Sequence, residues 1–389
     1  MNIVVIGGGV SGVISAIYAA RRGLNVTILE RNNKLLKKLL MTGNGRCNYY
    51  NSDQNRLHYH SFNPEYINKI IDDASLDELK NFYRELGIIP RIKEGYYYPY
   101  SNQASSVREL LIFELNRLNV KVKCDYLVED IKHDDLFIIN NDIKADKVII
   151  STGSKAYPKT GSDGMGYDFL KKLNHSITTI APALVQIKAN NKYLKELDGV
   201  RSDAHVSLYD KDKLLKEEIG ELQFTDYGIS GICTFNLSHL LKDGTKDKSV
   251  KINFIKGIES EIDRLKKTTI NKTAVEVFEG AINYKIIRVI LKMMGLDPDI
   301  LWNDLTEKEL FINTLSNFRL DLIGTNGFDR SQVCTGGLSL NDININTMES
   351  LKVKNLYIVG EILDLDGDCG GYNLTIAFIT GYKAGTNIW

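Results

Sequence analysis

The sequence predicts an α/β protein built on one parallel sheet, and three observations predict it. Asn2 to Ile6 is a β-branched run that enters Gly7-Gly8-Gly9-Val10-Ser11-Gly12, so Gly7, Gly9 and Gly12 satisfy G-x-G-x-x-G. An Ala- and Ile-rich helix, Val13 to Arg22, follows and is closed by Gly23; a second strand, Asn25 to Leu29, then ends in Glu30. The far end of the chain repeats the theme: a strand from Asn355 ending in Gly360-Glu361, a glycine-rich loop from Ile362 to Tyr372, and an amphipathic helix from Asn373 to Trp389. A strand, loop and helix there close the N-terminal sheet, which makes the middle of the chain an insertion.

Each part of the opening has a physical task. Gly7 permits the tight turn, Gly9 lets a diphosphate approach the backbone, and Gly12 lets helix and strand pack closely. The helix N-terminus turns free N–H groups and a partial positive charge towards phosphate. Glu30 sits where a carboxylate accepts hydrogen bonds from ribose hydroxyls. The unit reads as a Rossmann-like dinucleotide site.

Size and composition narrow the classes. With 389 residues the chain is long enough for two or three packed units, and 43% hydrophobic with 25% charged residues is ordinary for a soluble globular protein. Forty-nine basic and forty-nine acidic side chains cancel, so no global field draws nucleic acid or a membrane. The apolar N-terminus lacks the basic start of a signal peptide, and no stretch reaches the ~18 apolar residues of a membrane span. The expected location is the cytoplasm. Five cysteines, Cys47, Cys124, Cys233, Cys334 and Cys369, form no C-x-x-C, so no disulfide framework or zinc site is expected. His58 and His60, the only close pair among six histidines, read as exposed loop residues rather than metal ligands.

Between the termini, a helical start at Lys37-Lys38 gives way to Thr42-Gly43-Asn44-Gly45-Arg46-Cys47-Asn48, a loop whose glycines permit close approach to a ligand. Lys34, Lys37 and Lys38 read as a solvated face. Pro64 to Gly87 reads as two helices, Arg91 to Pro99 as a strand packed through Tyr96-Tyr97-Tyr98, and Ser105 to Leu118 as a helix. Val120 to Ile150 is a meander whose last strand stops at Ser151-Thr152-Gly153. Gly161 to Gly166 is a loop before a helix, Tyr167 to Leu173. From Pro182 onward Ala183–Lys188, Ala204–Tyr209, Leu214–Ile219, Glu221–Phe224 and Val250–Phe254 are strand candidates of an antiparallel sheet or small barrel. Ser260–Lys266, Lys272–Phe278, Tyr284–Met294 and Glu307–Leu315 are helical. G-x-G-x-x-G does not recur, so no separate NAD(P)H domain is expected. Asp364, Asp366 and Asp368 alternate like calcium ligands, but Gly367 and Thr375 stand where an EF-hand does not allow them.

Gly360-Glu361 resembles the Gly-Asp that binds the flavin ribitol in the glutathione-reductase-type FAD fold, and the turn Asp368 to Asn373 then places a helix N-terminus near the flavin pyrimidine. Three longer stretches, Lys38 to Asn48, Phe224 to Gly231 and Gly360 to Asn373, resemble the YhiN/BaiN-type FAD flavoproteins, the "aminoacetone oxidase family", over essentially the whole chain. The resemblance implies an FAD domain split around a β-barrel-like insertion and a helical subdomain. The expected boundaries are 1–182 and 335–389 for the FAD domain, 183–257 and 317–334 for the barrel, and 258–316 for the helices. By the same match Gly9, Ser11, Gly12, Glu30, Arg31, Lys38, Gly45, Thr152, Gly153, Gly360, Glu361, Gly371, Asn373 and Leu374 contact FAD, with Gly7, Arg46 and Gly370 beside them. Family members carry His where this chain has Asp226, so no role for that His transfers.

The implied activity is an FAD-dependent oxidoreductase, with NADH or NADPH as a transient reductant and hydride transfer from flavin N5 to a conjugated C=C bond. Cys47 and Tyr227 are candidate acids, and Arg46 a candidate group to polarise a carbonyl. Cys47 lacks a C-x-x-x-x-C partner because Ser52 stands there, so no redox disulfide is expected. The alternatives are uridine reduction in ribosomal RNA, amine oxidation by O2, and non-catalytic flavin binding. The RNA alternative calls for a basic surface from Lys266, Lys267, Lys272, Lys285, Arg288 and Lys292.

Overall fold

Residues 1–269 and 271–389 are described in the computed structural model, and they divide into two units, Met1–Pro182 with Ser331–Trp389 and Ala183–Arg330. The first contains a five-stranded parallel sheet. Its strand order is Leu356–Ile358, Lys147–Ile150, β1 (Asn2–Ile6), β2 (Asn25–Leu29) and Lys121–Lys123. Four of these strands stop in register: Ile6 pairs with Leu29 and with Ile150, and Ile150 pairs with Ile358. The residues that follow those ends therefore gather along one edge, the carboxyl edge where ligands of open α/β sheets bind.

The sheet is buried on both faces, and Ile3, Val4, Val5 and Ile6 are all in the core, as a continuous β-branched run requires. α1 (Val10–Arg21), with Gly9 as its N-cap, begins three residues earlier than the apolar run predicts, because the loop itself turns into the helix. The C-terminal helix, Tyr372–Asn387, lies against α1. Glycine makes that contact possible: a Cβ at Gly381 would sit 2.5 Å from the Ser11 carbonyl oxygen, and one at Gly385 2.6 Å from that of Ser15. The helices Asp73–Glu85 and Ala104–Arg117 complete the layer, and a three-stranded meander spans Ile131–His133, Phe137–Ile139 and Ile143–Ala145.

The second unit is a closed six-stranded barrel in the order Ile187–Asn190, Gly228–Ser230, Lys213–Thr225, Arg201–Asp210, Lys248–Asn253 and Phe318–Thr325. Two expected strands, Leu214–Ile219 and Glu221–Phe224, are one: Gly220 stays in the ladder opposite Ala204 rather than breaking it. Helices Glu259–Lys266, Ala274–Phe278, Tyr284–Met293 and Lys308–Ser316 accompany the barrel, and the rings of Phe278, Trp302 and Phe311 pack together edge-on and tilted. A capping box between Thr273 and Glu276 starts the second of them. Among the described residues no helix is long and apolar enough to cross a membrane.

Candidate active site

The glycine loop stands at the carboxyl edge. Gly7 has φ +104°, and a Cβ there would be 2.5 Å from the Ser151 carbonyl oxygen, so the turn accepts glycine alone. A Cβ at Gly12 would collide with the Gly7 carbonyl and the Ser151 hydroxyl, whereas one at Gly9 would meet no atom within 4 Å. Gly9 thus faces open space at the uncapped N-terminus of α1. Glu30 is buried, and its carboxylate ties the loop down, accepting from Gly8 N (2.7 Å), Asn32 N (2.8 Å) and Asn32 Nδ2 (2.6 Å). Arg31 pairs with Asp163 on the Gly161–Gly166 loop.

Next along the edge, Glu361 binds Lys38 Nζ at 2.8 Å and accepts from the Ser154 hydroxyl at 2.7 Å. Lys38 is therefore not part of a solvated face, and Lys37 too turns inward to Asn32. No α-helix forms there; a short 3-10 turn, Leu39–Met41, stands in its place because the glycine loop follows at once. Gly43, Asn44, Gly45 and Cys47 all have positive φ, and the loop folds back on itself through Cys47 N to Thr42 O. Arg46 is exposed, with its guanidinium 5.2 Å from the Tyr98 ring centre and its Nε bonded to Gly43 O.

The turn before the C-terminal helix closes the cradle. Gly360, Gly370 and Gly371 have positive φ, and a Cβ at Gly371 would lie 2.8 Å from the Tyr50 carbonyl carbon. The Asn373 amide clamps Gly367 at both ends, accepting from its N–H (2.9 Å) and donating to its carbonyl (2.7 Å). Asn51 Nδ2 donates to Gly370 O. The helix has no side-chain cap, so its first N–H groups remain for a ligand. Leu374 is half-buried in the first turn, Thr152 borders the glycine loop at Gly7, and Gly153 lies against Ser162.

The sequence reading missed a ribbon beside this turn. Tyr59–His60 and Asp366–Gly367 pair antiparallel, and the Asp368 N–H donates to the His58 carbonyl at 2.8 Å. His58 and His60 are therefore not loose loop residues. Their rings grip the Asp368 carboxylate from either side, His58 Nδ1 at 3.1 Å and His60 Nε2 at 2.9 Å. His58 Nε2 also lies 3.1 Å from the exposed Asp53, and its ring stacks on Tyr372. The i, i+2 spacing of both His58/His60 and Asp364/Asp366/Asp368 was the available signal, since that period puts side chains on one face of a strand.

The electrostatics separate these groups. Burial pushes the Cys47 thiol up to about 12, with Thr42 offsetting little of it, and Cys47 is 0% exposed. Burial likewise lifts Cys334 to about 12 and Cys369 to about 11. None is a thiolate at neutral pH. Asp366 is 1% exposed, and burial holds its carboxyl well above the usual carboxylate range. The Thr335 hydroxyl pulls it down, while the charges of Asp364, Asp368 and Glu361 push it further up. Neither Asp366 oxygen makes a hydrogen bond of full geometry. Tyr227, the other candidate acid, belongs to the barrel unit, exposed on the turn between Lys213–Thr225 and Gly228–Ser230.

The first unit's cradle fits a dinucleotide that carries a flavin. Two uncapped helix N-termini face it, Gly9 leaves the backbone open, and two buried polar atoms at its rim, Asn48 Oδ1 and Thr152 Oγ1, have no partner within the protein. The model of the HI0933-like protein Rossmann domain matches residues 1–387. The chain belongs to the HI0933-like family. Its fold is the Rossmann-like FAD-binding fold, and by class it is an FAD-dependent oxidoreductase. It is 37% identical to the 3-dehydro-bile acid delta(4,6)-reductase of Clostridium scindens over 99% of this chain and 98% of that one. It is 24% identical to the ribosomal RNA dihydrouridine synthase of Haemophilus influenzae over 99% and 98% of the two chains. Among solved structures, the 3-ketosteroid-delta4-(5alpha)-dehydrogenase of Rhodococcus jostii superposes with a TM-score of 0.54 at 17% identity, over 99% of this chain and 96% of that one. The family's fold is thus shared by enzymes of quite different sequence.

Proposed function

We propose that this protein is an FAD-dependent reductase of a conjugated C=C bond in a small, electron-poor molecule, with NADH or NADPH as passing reductant. The observation that carries the reading is the full-length relationship to a reductase named for a bile acid with an unsaturated ring system. Gly9 and the N-terminus of α1 would hold the diphosphate, Glu30 and Arg31 the adenosine end, and Lys38 with Glu361 the ribitol. Gly371, Asn373 and the helix they start would hold the pyrimidine edge. When bound and reduced, FAD supplies the hydride.

The protein's own part is orientation, exclusion of water and a proton. The Lys38–Glu361–Ser154 set fixes the cradle's middle, and the Asn373 clamp fixes its end. Cys47 is enclosed and protonated, which favours packing beneath the Gly43–Gly45 loop over a thiol relay. Arg46, exposed at the loop's tip, remains the group able to meet a substrate carbonyl.

The test is anaerobic reduction of the yellow holoprotein with NADH and with NADPH, followed by a panel of ring enones. The expected product carries two added hydrogens by mass. Flavin that is reduced and then reoxidised only by O2 would overturn the reading. A second reading, uridine reduction in ribosomal RNA, rests on the 24% relatives and is tested by supplying ribosomal RNA as acceptor in the same assay.

A further inference from the structure

Asn48 is a polar side chain that the fold encloses and leaves unsatisfied. It is 8% exposed, and its Oδ1 is sealed from water with no hydrogen-bond partner among the described residues. A buried acceptor without a donor is costly, so an oxygen kept in that state marks a place where a ligand brings the donor. The backbone on either side of it is fixed. Cys47, with φ +61°, donates its N–H to Thr42 O at 3.0 Å, and Tyr49 donates its own to Tyr97 O at 3.0 Å. Asn48 Oδ1 faces the start of the C-terminal helix: a Cβ added to Gly371, the N-cap, would lie 3.1 Å from that oxygen. No side chain caps the helix, so the free N–H groups of its first turn stand beside the unpaired Asn48 carbonyl. Gly370 and Gly371, with φ +138° and +101°, keep the corner clear of side chains, and Asn51 Nδ2 anchors it by donating to Gly370 O at 3.1 Å.

A ligand edge that satisfies both partners offers a carbonyl oxygen to the helix and, next to it, an N–H to Asn48. A cyclic imide has that order of groups, and the pyrimidine ring of a flavin carries one in O2, N3–H and O4. We propose that Asn48 Oδ1 accepts the N3–H of the flavin and thereby sets the register of the ring in the cradle. The inference rests on the reading above that the pyrimidine edge lies at this helix. Shifted by one position, the ring would set O2 or O4 against Oδ1, two acceptors with no proton between them. The same contact makes Asn48 a selector: it admits flavins whose N3 bears a proton and disfavours those whose N3 is substituted.

Titration of the apoprotein with FAD and with FAD methylated at N3 tests the contact without turnover. Wild type is expected to bind the methylated flavin at least about tenfold more weakly, because the donor is gone. Asn48→Ala removes the acceptor and opens room for the methyl group, so it should bind FAD about tenfold more weakly than wild type and hold the two flavins with similar affinity. Asn48→Asp keeps an acceptor and should restore the preference for FAD, while its negative charge makes the bound flavin harder to reduce and lowers the midpoint potential. An asparagine that serves only the loop's structure would weaken both flavins alike. Wild type that binds both flavins equally, or N48A that keeps the wild-type preference, overturns the assignment. Nuclear magnetic resonance of holoprotein carrying FAD isotopically labelled at N3 judges it separately: the N3–H proton should exchange slowly in wild type and fast in N48A, and equal exchange rates overturn the contact. None of these readouts needs a substrate. Failure of the wild type on every enone therefore sinks the reductase reading and leaves Asn48 to be judged by its flavin, whereas a wild type that takes up no FAD overturns the cradle and Asn48 together.

Discussion

At the scale of single residues, the clearest consequence belongs to Asp366. Its carboxyl is neutral in the folded protein and ionised in the unfolded chain above pH ~4, so the unfolded state binds fewer protons. Stability therefore falls as pH rises from there, by up to about 1.4 kcal/mol per pH unit, until the folded carboxyl itself ionises. Asp366→Asn removes that slope, and denaturant melts at pH 5 and pH 8 should show the variant gaining on the wild type at the higher pH. An equal difference at both values would mean that Asp366 is ionised in the native state. The residue also shows where sequence reading stopped. The alternation of Asp364, Asp366 and Asp368 was visible, but its partner His60 lies about three hundred positions away, and only the folded ribbon joins them.

At the scale of elements, the three glycines of the first loop have separable duties. A side chain at Gly12 meets the Gly7 carbonyl and the Ser151 hydroxyl, so Gly12→Ala should cost about 1–3 kcal/mol of stability through overpacking. Gly9→Ala meets nothing in the protein and should melt like the wild type while binding FAD more weakly. Thermal melts and flavin titration of the two variants distinguish the duties; a Gly9→Ala protein with full flavin affinity would remove Gly9 from the phosphate site. These elements were legible because β1, the loop, α1 and β2 are contiguous and their periods are unmixed. Gly228–Ser230 escaped notice because a three-residue strand has no period to read, and its place is set by pairing with Ile187 and Lys188 across the barrel unit.

At the scale of the molecule, charge argues against a nucleic-acid substrate. Formal net charge is zero, and of the six basic residues an RNA surface would need, Lys266 pairs with Glu309, Arg288 with Asp299 and Lys292 with Glu196. Binding to ribosomal RNA is expected to vanish by about 200 mM salt; retention measured above that concentration would turn the substrate towards uridine. The sheet order carries a different message. Leu356–Ile358 forms the edge strand beside Lys147–Ile150, and the last helix is the one proposed to hold the flavin's pyrimidine edge. A ribosome making this chain releases the barrel residues before those final segments exist. If that helix holds the flavin ring as proposed, a variant lacking Tyr372–Asn387 is expected to bind FAD far more weakly than the full chain in a flavin titration.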